Sequence, residues 1–141
     1  MKARILILCT GNSARSQMAE GLLREMGAGG IEVFSAGTKP SLVRPEAIAV
    51  MAEQGIDISG HRSKHVDEFK GQTFDYVITV CDNANETCPV FPGTTRRIHW
   101  SFPDPAAVDG GEADRLAAFR DVRDALADRF RDFLDHIGET I

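Results

Sequence analysis

The sequence predicts a single α/β domain built on a short parallel sheet. Three observations carry that prediction. The apolar runs at residues 3–8 and 74–80 are continuous rather than alternating, as in strands covered on both faces. Segments of helical period follow such runs, so strands and helices alternate along the chain. The whole chain of 141 residues has the length of one domain with one core and shows no repeat, linker or low-complexity tract.

The elements follow in order. Residues 3–8 read as the first strand, broken by Gly11 and Asn12. Residues 13–26 carry Met18, Ala19, Leu22, Leu23 and Met26 at helical spacing and stop at Gly27. Residues 31–35 read as a second strand. Pro45 suits the first turn of a helix that ends at Gly55. Residues 74–80 form a third strand running into Cys81, and residues 96–100 a weaker fourth. From Glu112 onward, Leu116, Phe119, Val122, Leu126, Phe130, Phe133 and Ile137 mark one apolar face of a long amphipathic helix. Active sites in such sheets lie beyond the carboxyl ends of the strands, which is where Cys9 and Cys81 fall.

Composition removes several functions. A net charge of −5 opposes binding to nucleic acid or to an anionic membrane through bulk charge. It does not oppose one anion site made from local dipoles. No apolar run is long enough for a signal peptide or a membrane span, so the expected location is the cytoplasm, where thiols stay reduced. Three cysteines fit a disulfide framework poorly. They leave buried thiols, metal ligands or reactive thiols. A zinc site shared with His61 or His65 lacks the usual close cysteine pair, so no metal is expected. All four histidines, with His99 and His136, are read as structural or solvated.

Between the first strand and its helix lies Cys9-Thr10-Gly11-Asn12-Ser13-Ala14-Arg15-Ser16. A loop entering a helix N-terminus aims several backbone N–H groups at one point, and the helix dipole adds positive potential. Together they suit a tetrahedral oxyanion. Arg15 can close the ring with a bidentate fork. The same field is expected to lower the Cys9 pKa and make a nucleophilic thiolate. Ser16 can donate a hydrogen bond to it. Asn12 tolerates the positive φ such a loop needs. The bland alternative is a Ser13 helix cap beside a buried cysteine. No Gly-Lys-Ser/Thr follows, so this is not a nucleotide loop.

The run C-T-G-N-S-A-R-S-Q-M-A-E-G resembles the phosphate-binding loop of the low-molecular-weight protein tyrosine phosphatase superfamily. It is closer to the thioredoxin-coupled arsenate reductases built on that fold. Further matching segments are Ser35-Ala36-Gly37-Thr38, V-C-D-N-A-N-E-T-C-P from Val80, and His99-Trp100 followed by Asp104-Pro105. The resemblance implies a four-stranded parallel sheet with helices on both faces over residues 1–141. It implies that Cys9 attacks arsenate, that Cys81 and Cys88 complete a disulfide cascade, and that thioredoxin, or a glutaredoxin system, re-reduces the enzyme. No bound cofactor is implied, and phosphate or sulfate would compete with arsenate. Asp104 matches the general-acid position. Read from the sequence alone, Asp104-Pro105 is a turn before it is an acid, and Cys81 and Cys88 are a buried and a turn thiol before they are a redox pair.

Three departures stand out. Ala14 replaces a second loop cysteine found in many relatives, which removes a loop-internal disulfide. Ala106 and Ala107 follow Asp104-Pro105 where the phosphatases carry aromatic residues, and the one tyrosine, Tyr76, lies in an apolar strand. That favours a small inorganic oxyanion over a phosphoprotein. Some reductases bind potassium beneath the loop. Asn12, Glu20 and Ser35 match part of that site, but Arg62, Ser63 and Lys64 stand at its downstream positions, where the Lys64 ammonium would replace the ion; the sequence alone favours a solvated lysine in a polar loop. Arsenate reduction, with a phosphatase side activity, is therefore the leading reading. The alternatives are a low-molecular-weight phosphatase acting on phosphomonoesters, and a non-catalytic oxyanion-binding or thiol-sensing module.

Overall fold

A computed structural model of the chain describes residues 3–81, 93 and 95–140. The elements run β1 (Ala3–Cys9), α1 (Arg15–Gly27), β2 (Ile31–Gly37), α2 (Pro45–Ala52), a 3-10 turn (Val66–Phe69), β3 (Tyr76–Thr79), β4 (Arg96–His99), a second 3-10 turn (Pro105–Ala107) and α3 (Glu112–Thr140). The four strands make one sheet in the order β2-β1-β3-β4, all parallel.

Each strand explains its own place. β1 is central, and Ile5 to Leu8 are fully buried, which is why its sequence is apolar without alternation. β4 is an edge, and its Arg96, Arg97 and His99 are exposed, which is why its signal is weak. Along β2, Ser35 faces α1 through Glu20, so its neighbour Phe34 points to the opposite face. There Phe34, Phe69 and Phe74 pack with ring centroids 5.6–5.9 Å apart, tying the first 3-10 turn to the sheet.

The α1 side is held by α3. Phe119, Val122, Leu126, Phe130, Phe133 and Ile137 are all buried, as the helical stripe predicts. Phe133 meets Tyr76 edge-on at 5.1 Å, and Trp100 meets Phe130 at 5.5 Å. Burying side chains of this size contributes roughly 1.5–3 kcal/mol each. α2 packs on α1 and α3, and its C-terminal carbonyl Val50 O accepts from the buried Arg123 at 2.8 Å. Among the described residues, no helix is long and apolar enough to cross a membrane.

The chain leaves β1 toward β2 and then returns past β1 to β3. The carboxyl ends of β1 and β3 therefore flank the point where the winding reverses, the usual place for a binding crevice in an open α/β sheet. Cys9 ends β1. Cys81 lies two residues past β3, where Val80 N still donates to Leu8 O at 2.9 Å.

Candidate active site

The loop from Thr10 to Ala14 joins β1 to α1. Asn12 takes φ 45°, the left-handed region that asparagine tolerates. The N-cap position of α1 is Ala14, with no side-chain cap bond, and no acidic residue stands in the first turn. The Ser13 cap is therefore not made, and nothing neutralises the positive end of the dipole. Arg15 is nearly buried. One terminal nitrogen donates to Phe102 O at 3.0 Å and the other lies 4.0 Å from Asp104 Oδ2. Its Nε is buried and has no hydrogen-bond partner among the described residues. An orphaned guanidinium donor at a helix N-terminus suits a bound anion.

Asp104 sits at the mouth, half exposed. Its Oδ1 accepts from Ala106 N at 3.0 Å, capping the turn Pro105–Ala107. One carboxylate oxygen thus makes the turn and the other faces Arg15.

Cys9 and Cys81 are both buried. Thr10 Oγ1 lies 3.2 Å from Cys81 Sγ. The neighbouring Cys81 corrects the expectation of a lowered Cys9 pKa. The hydrogen bond to Cys81 and burial push the Cys9 thiol up, against Arg15 and the Thr10 backbone N–H, which pull it down. The loop's field acts as predicted, but two thiols in one dry pocket do not both ionise readily. Ser16 makes its contact elsewhere. It is fully buried, and its Oγ accepts from Asn12 Nδ2 at 2.8 Å, which leaves its proton to donate.

Asn12 organises the far side of the loop. Its Nδ2 also donates to Ser35 Oγ at 3.0 Å, and Ser35 donates to Glu20 Oε1 at 2.5 Å. Its Oδ1 accepts from Lys64 N and Gln17 Nε2, both at 3.0 Å. Glu20 is 5% exposed and is met by Arg24 at 2.8 Å, His61 Nε2 at 3.5 Å and Lys64 Nζ at 3.7 Å. The sequence grouping of Asn12, Glu20, Ser35 and Lys64 is thus one physical cluster. Burial holds the Lys64 pKa below its ordinary value despite Glu20, and burial likewise lowers His61.

Sequence reasoning missed Gln17, His61 and Arg24 in this cluster, and the part played by Gly37. Gln17 is fully buried. It bonds Asn12 O and Arg62 O through Nε2, and its Oε1 meets His61 Nδ1 at 3.0 Å. A glutamine placed two residues into a helix whose following positions are apolar was the available signal. Gly37 ends β2 against the loop, where a Cβ would stand 2.5 Å from Thr10 O and 2.9 Å from Asn12 N. Only glycine allows that approach. Cys88 lies outside the described residues. Among the described residues, no group of three or more His, Cys, Asp or Glu could hold a metal ion.

Comparison with known proteins places this geometry. A family model described as "Low molecular weight phosphotyrosine protein phosphatase" matches residues 4–141. A protein of Halalkalibacterium halodurans named arsenate reductase is 42% identical over 134 residues, covering 95% of this chain and 96% of that protein. A solved structure described as an arsenate reductase in the phosphate binding state has a TM-score of 0.76 at 36% identity, over 97% of this chain and 99% of that one. A Corynebacterium glutamicum thioredoxin-dependent arsenate reductase has a TM-score of 0.76 over 99% of this chain and 64% of that one. At 24% identity it speaks to the fold alone.

Proposed function

Since the chain belongs to the low molecular weight phosphotyrosine protein phosphatase family, we propose that it is the arsenate-reducing kind of member. In this reading it converts arsenate to arsenite with its own thiols. The observation that carries the reading is the second thiol: Cys81 is buried just past the carboxyl end of β3, next to the end of β1 that carries Cys9, with its Sγ 3.2 Å from the hydroxyl of Thr10. Phosphomonoester hydrolysis needs one cysteine, whereas arsenate reduction needs two electrons, which two thiols supply on becoming a disulfide. The named relatives point the same way.

The proposed steps use these residues in turn. Arsenate enters the loop from Thr10 to Arg15, with Arg15 and the backbone N–H groups holding its oxygens. Cys9 bonds to arsenic, and one arsenate oxygen leaves as water, protonated by Asp104 at the mouth. The anion must first find Cys9 ionised. The pair Cys9–Cys81 gives up one proton as a unit, and Arg15 and the Thr10 backbone N–H, which both lower the Cys9 pKa, hold the charge that remains. Cys81 then attacks Cys9 Sγ. The electron pair of the As–S bond stays on arsenic, arsenite departs, and Cys9–Cys81 remains as a disulfide. Cys88 exchanges onto Cys81, and a dithiol protein reduces the Cys81–Cys88 bond. Thioredoxin is the proposed donor, with a glutaredoxin system as the alternative. The cytoplasm, where such donors keep thiols reduced, is the proposed location.

In this reading Lys64 takes the place of potassium. Asn12, Glu20 and Ser35 would suit a cation, but the Lys64 ammonium already lies 3.7 Å from Glu20. The donor set therefore does not fit an added metal ion.

The competing reading is hydrolysis of phosphomonoesters by the same loop. The Arg15–Asp104 arrangement supports it equally. Ala106 and Ala107 follow Pro105, and Tyr76 is buried against Phe133, so neither position offers a wall to a phosphotyrosine ring. Arsenite formation from arsenate with thioredoxin, thioredoxin reductase and NADPH, repeated with each cysteine changed to serine, decides between them. Arsenite formed at the wild-type rate without Cys81 would end the reductase mechanism.

A further inference from the structure

The segment that carries Asp104 also holds Arg15. Arg15 Nη1 donates to Phe102 O at 3.0 Å, and Arg15 Nη2 lies 4.0 Å from Asp104 Oδ2. A guanidinium can meet an oxyanion with the two-donor edge formed by Nε and Nη2, while Nη1 stands on the other side of the group. Phe102 O therefore ties down the one nitrogen that this edge does not use. It leaves Nε, buried and without a partner among the described residues, to an anion. Where the fork points thus depends on where residues 102–104 hold their backbone.

Little backbone hydrogen bonding holds them. Trp100 N donates to Thr79 O, and Ala107 N donates to Asp104 O. Between these, residues 101–103 belong to no helix or strand and, among the described residues, make no backbone–backbone hydrogen bond. The sequence there is Phe102-Pro103-Asp104-Pro105, so both residues that meet Arg15 precede a proline. A proline holds its own φ at about −65° and pushes the residue before it out of the helical region into extended backbone. Asp104 shows that effect, with φ −78° and ψ 108°. Pro105 is buried and opens a 3-10 turn, so it packs as well as restrains. Pro103 is exposed, which leaves restraint of the backbone as its contribution.

We infer that Pro103 is a positioning residue, holding Phe102 O and Asp104 where they aim the Nε–Nη2 edge of Arg15 at the anion. A segment ordered before the anion arrives takes nothing from the binding free energy for its own ordering. The anion-binding half of this needs only the loop. The rate half rests on the reductase reading, in which the same restraint keeps Asp104 beside the arsenate oxygen that leaves.

The test uses the full reduced chain with inorganic phosphate as the probe, titrated by calorimetry at a temperature where every variant is folded. Pro103→Ala should bind phosphate roughly 2–5-fold more weakly, and Pro103→Gly roughly 5–25-fold, because each step returns backbone freedom to the segment. A double-mutant cycle shows whether the effect passes through the guanidinium. A lysine has no fork to aim, so on an Arg15→Lys background Pro103→Gly should weaken phosphate by less than about 2-fold. A purely structural role would lower the melting temperature in both backgrounds and move neither affinity. The inference is overturned if Pro103→Gly binds phosphate as the wild type does, or if its loss is the same on the Arg15→Lys background. In single-turnover arsenate reduction, Pro103→Gly should raise the half-saturating arsenate concentration and lower the maximal rate together. Arsenite formation by the wild type is read separately. Its absence would count against the reductase reading, and the phosphate titrations would still decide the role of Pro103.

Discussion

The two sides of the loop are built differently. On the Asn12 side, Ser16, Ser35, Gln17 and the Lys64 backbone N–H all bond one buried amide, and Glu20 is ringed by Arg24, His61 and Lys64. On the Cys9 side, two thiols are buried, Arg15 Nε has no partner among the described residues, and the helix N-cap makes no side-chain bond. The difference teaches how such a site is made. Saturated hydrogen bonding on one side fixes the backbone. On the other side, Arg15 Nε and the uncapped start of α1 are left as donors that the proposed function gives to an anion.

The largest effect is expected from the reactive side. Cys9→Ser should lower arsenate reduction and any phosphomonoester hydrolysis by at least about 10³-fold, since the nucleophile is gone. Its melting temperature should stay close to wild type, because the fold's support lies on the other side. Arsenite production and a thermal melt check both halves. Substantial turnover by this variant would remove the nucleophile assignment.

Cys81→Ala separates the two chemistries. Reduction should stop while phosphomonoester hydrolysis survives. The Cys9 pKa should also fall, because the hydrogen bond and like charge of Cys81 are among the causes that raise it, while Arg15 and Thr10 N–H remain to lower it. The pH dependence of Cys9 alkylation reads this directly. A midpoint equal to or above that of the wild type would show that burial alone sets the thiol.

These two sides were not equally legible in the sequence. The reactive side was written locally: Cys9, Asn12 and Arg15 lie within seven residues, between a strand and a helix whose apolar patterns are plain. The supporting side was only partly so. Asn12, Glu20, Ser35 and Lys64 came from resemblance, and the fold confirms their proximity. Gln17 and His61 meet across 44 positions of sequence, and no periodicity reports such a pairing. The upward push on Cys9 was hidden for the same reason. It depends on Cys81, 72 residues away by numbering, and not on the loop whose field the sequence shows. The fold itself was legible because buried strands and a helical stripe are local patterns; the edge strand β4, half solvated, gave the faintest of them.

Gly37→Ala probes how strongly the supporting side governs the reactive one. The added Cβ would stand 2.5 Å from Thr10 O, so the loop backbone must shift. Misplacement of about 1 Å costs on the order of 10²-fold in rate. We expect a loss of that order in single-turnover arsenate reduction, with a smaller thermal shift by phosphate than in the wild type. Unchanged phosphate stabilisation would mean the loop position does not matter for the anion.

The smallest expected effect is the most telling about Lys64. Its ammonium lies near Glu20, yet burial outweighs Glu20 and lowers its pKa below the ordinary 10.5, with Arg62 and Arg24 also lowering and Glu68 raising. In the alkaline range just under 10.5 the unfolded chain therefore binds more protons at this lysine than the folded one. Stability must rise with pH through that range on its account. Lys64→Met should flatten that rise and change stability at neutral pH by less than about 1 kcal/mol, since a partly buried charge that the fold disfavours is replaced by an apolar stem. Glu20 would lose one of its three basic neighbours, beside Asn12 and Ser35, in a pocket that then suits a monovalent cation. The variant should accordingly gain activity on adding potassium but not on adding tetramethylammonium, while the wild type responds to neither. Potassium activation of the wild type, with none gained by Lys64→Met, would show that Lys64 is packing rather than a built-in cation.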